Sequence, residues 1–130
     1  MENREGLIIR GSMALPYHNG IIWCMELDGL GAHTDVVSAK LAADFAYAAR
    51  PSTTGQVALH LKDTLVTEAL AAQVATLLAG ASMAVRRVAF VGLDRQARRR
   101  MEAALQRAGA AQIVAFYEDY ELAKAWLIPG

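Results

Sequence analysis

The chain has one cysteine, three prolines and few aromatic side chains, 7% of its 130 residues. Cys24 stands alone and cannot form an intrachain disulfide, so packing must hold the fold, and a chain of this length can bury a core without covalent staples. Its setting, Ile21-Ile22-Trp23-Cys24-Met25, is that of a buried strand thiol and not of an activated nucleophile. Excess charge of either sign is also missing, with 13 Lys and Arg against 13 Asp and Glu. No global field therefore draws the chain to nucleic acid or to an anionic membrane. No apolar run approaches the roughly 20 residues that a membrane helix requires. Residues 1–6 lack the basic start and apolar centre of a secretory signal, and Leu7-Ile8-Ile9 stops at Arg10. These absences predict a cytoplasmic chain with no membrane insertion and no nucleic-acid partner. Repeats and long Pro/Gly/Ser linkers are absent too, which predicts a single domain over residues 1–130.

What is present is alternation. Four apolar runs, Ile21 to Leu27, Val57 to Leu61, Val85 to Val91 and Gln112 to Phe116, alternate with stretches of helical period. That order predicts an α/β fold with crossovers between neighbouring parallel strands. Gly6 to Leu15 carries enough apolar residues for a further strand, and Pro16-Tyr17-His18-Asn19-Gly20 has turn chemistry, so a leading antiparallel hairpin is expected.

Four helices are expected. The first starts near Thr34 or Asp35 as a cap, buries Val37, Leu41, Phe45 and Ala48, and ends in Arg50-Pro51-Ser52-Thr53-Thr54-Gly55. The second follows a Thr67 cap, buries Leu70, Val74, Leu77 and Leu78, and stops at Gly80. An Asp94 cap opens the third, which buries Ala97, Met101, Ala104 and Leu105 and ends at Gly109. The fourth starts near Glu118 or Asp119, buries Leu122, Ala123, Trp126 and Leu127, and is ended by Pro129-Gly130.

Sandwiched parallel strands are apolar throughout, yet Val57-Ala58-Leu59-His60-Leu61-Lys62 alternates, with Ala58, His60 and Lys62 on one face. This predicts helices on one face only. Other strands keep apolar residues on the second face, so a partner, a ligand or a second copy is expected to cover it.

Asp28-Gly29-Leu30-Gly31-Ala32-His33-Thr34 lies between a strand and a helix, where a phosphate can meet a helix N-terminus. Gly29, Gly31, His33 and Thr34 are the residues such a site would use. Against it, Thr34 stands where a third glycine or alanine would allow close packing, and no acidic residue follows at the spacing that holds a ribose. His18, His33 and Cys24 match no zinc spacing, and there is no His-Glu-x-x-His helix, so neither a metal nor a cofactor is expected. His60 reads as a satisfied sheet residue without a nucleophile to serve, and no catalytic residue is assigned. The arginines of Asp94 to Glu102 fan about 100° per residue around a helix and read as a solvated face. The loop Lys62 to Glu68 offers Asp63, Thr64, Thr67 and Glu68 as a partner-binding or switch surface, with a helix cap as the simpler role of Thr67.

Met25-Glu26-Leu27-Asp28-Gly29, Val57-Ala58-Leu59-His60-Leu61, Val88-Ala89-Phe90-Val91 and the ending Phe116 to Leu127 together resemble the STAS domain. The likeness is to its stand-alone members of the anti-sigma factor antagonist-like or STAS/SEC14-like kind. It covers roughly Gly20 to Leu127 and implies a mixed sheet with helices mainly on one face. Antagonist members carry an Asp-Ser pair with a phosphorylatable serine at the start of the second helix. Placed on this chain, the pair falls near Glu68 and Ala69, so the phosphoacceptor is missing and Thr67 is the nearest hydroxyl. The resemblance thus implies a non-enzymatic interaction or regulatory module, expected as a homodimer that contacts a protein partner. The SEC14-like label implies the alternative, a carrier of a small apolar or lipid-like ligand held between sheet and helices. Nucleotide or phosphate binding at Gly29–Thr34 is the third expectation.

Overall fold

A computed structural model describes residues 7–50 and 55–129. It contains β1 (Met13–Tyr17), β2 (Gly20–Glu26), α1 (Thr34–Ala48), β3 (Gln56–His60), α2 (Glu68–Gly80), β4 (Arg87–Val91), α3 (Arg95–Ala108), β5 (Ile113–Tyr117) and α4 (Tyr120–Leu127). One five-stranded sheet runs in the order β1-β2-β3-β4-β5. The first pair is antiparallel and the remaining three are parallel. The fold is the expected α/β type with a leading hairpin.

The hairpin strand begins later than the sequence predicts and runs through Pro16, which an edge strand tolerates because no ladder needs its missing N–H. His18 turns the chain at φ 50°, and Tyr17 pairs with Gly20. The expected readings of residues 1–6, of Pro51 to Thr54 and of Gly130 lie outside the described residues.

The helix signals at α2, α3 and α4 are satisfied by geometry. Thr67 Oγ1 accepts from the Leu70 amide at 3.0 Å, Asp94 Oδ1 from Ala97 at 2.8 Å and Asp119 Oδ1 from Glu121 at 2.8 Å. Gly109 closes α3 in the left-handed region at φ 68°. Helix α1 departs from expectation: it begins after His33 with no side-chain cap hydrogen bond, and Thr34 and Asp35 are already helical. The Thr34 amide instead donates to the Ala32 carbonyl at 2.8 Å, a turn bond that substitutes for a cap.

Helices α1, α2 and α3 are crossovers between neighbouring parallel strands, and the fixed hand of such connections gathers them on one face. Trp23, Met25, Val57, Leu59, Val88 and Phe90 point there and meet Val37, Leu41, Phe45, Val74, Leu78 and Met101 in the main core. The opposite face corrects the sequence reading, because it is not left for a partner. Helix α4 follows the last strand, so no crossover rule binds it, and it packs on the other side against β3, β4 and β5. Ile22, Cys24, Ala58, Ala89 and Val91 lie beneath Ala123, Leu127 and Ile128 in a second, smaller core. The small side chains of Ala58 and Ala89 let the helix approach closely. Leu122, expected to be buried, faces outward and is 58% exposed. The apolar second face that suggested a second copy is thus covered largely by the chain itself.

Candidate functional site

The four parallel strands end on one edge of the sheet, where loops are free to vary while their anchors stay fixed. Two arrangements of polar residues meet on that edge. The first joins the Gly29–Gly31 turn to the loop between β3 and α2. The amides of Gly29 and Gly31 donate to the carbonyls of Lys62 and Asp63 at 2.8 and 2.9 Å, and the Leu65 amide donates back to Gly31 at 2.9 Å. Thr64 is buried between the two segments. Its Oγ1 accepts from the Leu30 amide at 3.1 Å and donates to the Leu27 carbonyl at 2.5 Å.

This network fixes the chemistry of both predicted segments. The amides of Gly29, Leu30, Gly31, His33 and Thr34 all donate within the protein, so these five donors do not open toward a phosphate. Thr64 is inaccessible to a kinase in the folded chain, and Thr67 uses its oxygen as the α2 cap. What the loop presents outward is Lys62, Asp63, Leu65 and Glu68, all exposed. Asp63 reaches that position at φ 58°, in the left-handed region that Asp tolerates better than most side chains.

Beside this loop lies an open cleft of about 340 Å³, bordered by Lys62 to Val66, by the Gly92-Leu93-Asp94 turn, by Gln96, Ala97 and Arg100 of α3, and by Glu118. Arg100 Nη1 donates to the Val66 carbonyl at 2.8 Å and ties α3 to the far end of the loop. Charged side chains of both signs, Lys62 and Arg100 with Asp63, Asp94 and Glu118, border the cleft, which suits polar contacts more than a lipid chain. Among the described arginines of α3, Arg98 lies over the Phe116 ring and pairs with Glu102 while Arg100 turns to the loop, so they do not converge on one ligand.

The second arrangement is a polar cluster on the α4 face. Glu26 closes β2, His60 closes β3, Asp28 follows β2, and Tyr120 opens α4. His60 Nδ1 lies 3.0 Å from Glu26 Oε1 and 3.6 Å from Asp28 Oδ1. The Tyr120 hydroxyl donates to Glu26 Oε2 at 2.9 Å, and its ring meets the His60 imidazole edge-on at 5.0 Å. Arg10 approaches Asp28 Oδ2 at 3.5 Å from the exposed side.

Burial works against ionisation of Glu26, but hydrogen bonds from His60 and Tyr120, with the charges of His60 and Arg10, outweigh it and hold its pKa below the ordinary range. Burial, the Cys24 thiol and Glu26 push the Tyr120 phenol far up, so it remains a donor. Burial likewise raises the Cys24 thiol, which makes it a poor nucleophile. Because the folded-state pKa of Glu26 is depressed, its contribution to stability is complete above the unfolded value of about 4.3 and is lost as the pH falls through the folded value. Urea midpoints should therefore drop below that pH in the native chain and drop less in Glu26→Gln. Equal slopes in the two proteins would contradict this assignment.

Sequence reading singled out the two segments now seen bridged, the turn at Gly29, Gly31, His33 and Thr34 and the loop at Asp63, Thr64, Thr67 and Glu68. It did not bring together Glu26, Asp28, His60 and Tyr120, which are separated by up to 94 positions. The available signal was the i, i+2 spacing of Glu26 and Asp28 with a lone His60 at the end of the next strand. His18, considered as a ligand, lies instead at the hairpin turn with Nδ1 3.1 Å from the Ile128 carbonyl. No helix among the described residues is long and apolar enough to cross a membrane. No family model matches the chain, and neither a curated protein nor a solved structure matches it.

Proposed function

We propose that this chain is a non-enzymatic, STAS-like interaction module whose contact surface is the rim formed by Lys62 to Glu68 and the adjoining cleft. The observation that carries the reading is the division of labour within the loop. Its backbone is held by Gly31, Thr64 and Arg100, while Leu65 stands 46% exposed in a loop that also presents Lys62, Asp63 and Glu68 outward. A side chain held outward by a fixed backbone loses little entropy on docking, which favours binding of a partner protein. An exposed leucine with polar neighbours gives the apolar centre and polar rim of a small contact patch.

The likeness to STAS domains supports the same surface, since the start of α2 is where antagonist members are switched. Here Glu68 and Ala69 occupy that start, Thr64 is buried and Thr67 is a cap, so contact proceeds without a phosphate switch at the customary place. The Cys24 thiol and the Tyr120 hydroxyl, which donates to Glu26, are both held in their protonated forms by burial, so neither reads as an activated nucleophile.

The test is comparative co-purification of the tagged full chain from its native cells. At least one protein should be recovered equally with the native chain and with Leu122→Asp, and about tenfold less with Leu65→Asp, a loss of roughly 1.4 kcal/mol of binding. Recovery unaffected by Leu65→Asp, or no protein enriched by the native chain, would contradict the proposal.

A further inference from the structure

We propose that Glu26, Asp28 and His60 form a binding site for one divalent first-row metal ion of the zinc kind. The inference is independent of the rim contact. One donor atom from each of the three residues lies within 4.8 Å of the other two. Two donors that each sit about 2.1 Å from one ion stand about 3.0 Å apart at a right angle and about 3.4 Å apart at a tetrahedral angle. The distances from His60 Nδ1, 3.0 Å to Glu26 Oε1 and 3.6 Å to Asp28 Oδ1, fall around those values.

A second observation points the same way. Asp28 Oδ1 is shielded from solvent and has no hydrogen-bond partner, and 3.6 Å is too long for a bond to His60. A buried carboxylate oxygen left without a partner is costly, and it faces the other two donors. The Glu26 and Asp28 side chains are 9% and 14% exposed, and the described cation facing them is Arg10, itself 64% exposed and on the other Asp28 oxygen. With the His60 imidazole neutral, as a metal ligand must be, two screened carboxylates beside a single solvated guanidinium leave negative charge that a divalent ion would neutralise.

The surroundings already orient the donors as outer partners of a metal do. Tyr120 holds Glu26 Oε2, which leaves Oε1 toward His60, and the Tyr120 ring steers the imidazole. One imidazole nitrogen and two carboxylates favour zinc or its first-row neighbours over calcium, which takes oxygen donors alone. Binding uses the Nδ1 lone pair, so the tautomer that ligates carries its proton on Nε2.

The experiment is calorimetric titration of Zn²⁺ into the chelator-treated full chain, with side-chain nitrogen NMR of its three histidines. One equivalent should bind with a dissociation constant below about 10 μM. The Nδ1 resonance of His60 should shift while those of His18 and His33 stay in place. Asp28→Asn keeps the side-chain shape and should weaken binding at least about 30-fold, whereas His33→Ala should leave it unchanged. Millimolar binding, affinity that survives Asp28→Asn, or shifts confined to His18 or His33 would overturn the site. The NMR arm uses the native chain and stands even if a variant fails to fold.

Discussion

Replacing Gly92 with alanine should cost about 3 kcal/mol or more of unfolding free energy, enough to leave a domain of ordinary stability partly unfolded. Two effects combine there. Gly92 follows β4 at φ 84°, a backbone region that side chains with a Cβ occupy only under strain. A Cβ at this position would also meet Lys62, 2.5 Å from its Cβ, 2.8 Å from its Cα and 2.9 Å from its amide nitrogen. Two of those atoms are backbone and cannot swing aside without moving the start of the β3–α2 loop. Gly29 separates the two contributions, because it has φ 70° and nothing within 4 Å of an added Cβ. Gly29→Ala should therefore cost only the strain, about 1–2 kcal/mol. Urea unfolding of both variants reads the difference directly, and equal losses would refute the close approach between Gly92 and Lys62. The same collision explains why a glycine stands at the floor of the cleft.

Thr64→Val should be the second severe change, at about 2–4 kcal/mol, while Thr64→Ser should cost less than about 1.5 kcal/mol. Valine keeps the shape and removes the oxygen. The Leu30 amide then loses its acceptor and the Leu27 carbonyl its donor, both at a position where Thr64 is only 9% exposed. A buried amide stripped of its partner carries its full desolvation cost, which exceeds the modest net gain of an ordinary hydrogen bond. Serine retains both bonds and gives up one methyl. Amide exchange offers a local check: protection at Leu30 and Leu65 should fall in Thr64→Val well beyond the global change. If valine proves as stable as serine, Thr64 is a packing residue and the tether between the two loops rests on backbone bonds alone.

Much of the architecture was legible because it depends on local period and punctuation. The parallel strands and helices α2, α3 and α4 appear within a few residues of their predicted bounds, and three of four caps work through the predicted side chains Thr67, Asp94 and Asp119. The side of the sheet taken by α4 was not legible. Handedness constrains crossovers between parallel strands, and a helix after the last strand is free of that constraint. The clue was compositional, since Ala58 and Ala89 reduce the second face to small side chains beneath a helix, but small residues alone do not say whose helix. The α1 start misled for a different reason. Thr34 and Asp35 are good capping residues, yet the turn at Gly29–Gly31 is anchored to residues 62–65 and sets the helix entry one residue earlier.

The same distinction divides the candidate site. The rim was predicted from its residue types, because hydroxyls and carboxylates next to a helix start are a local pattern. That Thr64 and the Gly29–Gly31 turn hold each other was not predictable, as it depends on β2 and β3 being parallel neighbours in register from Trp23–Val57 to Glu26–His60. That register also places Glu26 beside His60, so one feature of the topology creates both the tether and the polar cluster. The proposed metal site would be built across two strands and would leave no short spacing motif of the kind a sequence search for zinc ligands looks for.

The most direct test of the central claim, that the Lys62–Glu68 rim meets a protein partner, is photo-crosslinking in native cells with a photoreactive residue placed at position 65 and, in a separate strain, at position 122. Both positions are exposed, so the comparison controls for accessibility. The rim account predicts a discrete crosslinked species from position 65 that is absent from position 122. No adduct at position 65, or the same adducts from both positions, would contradict it.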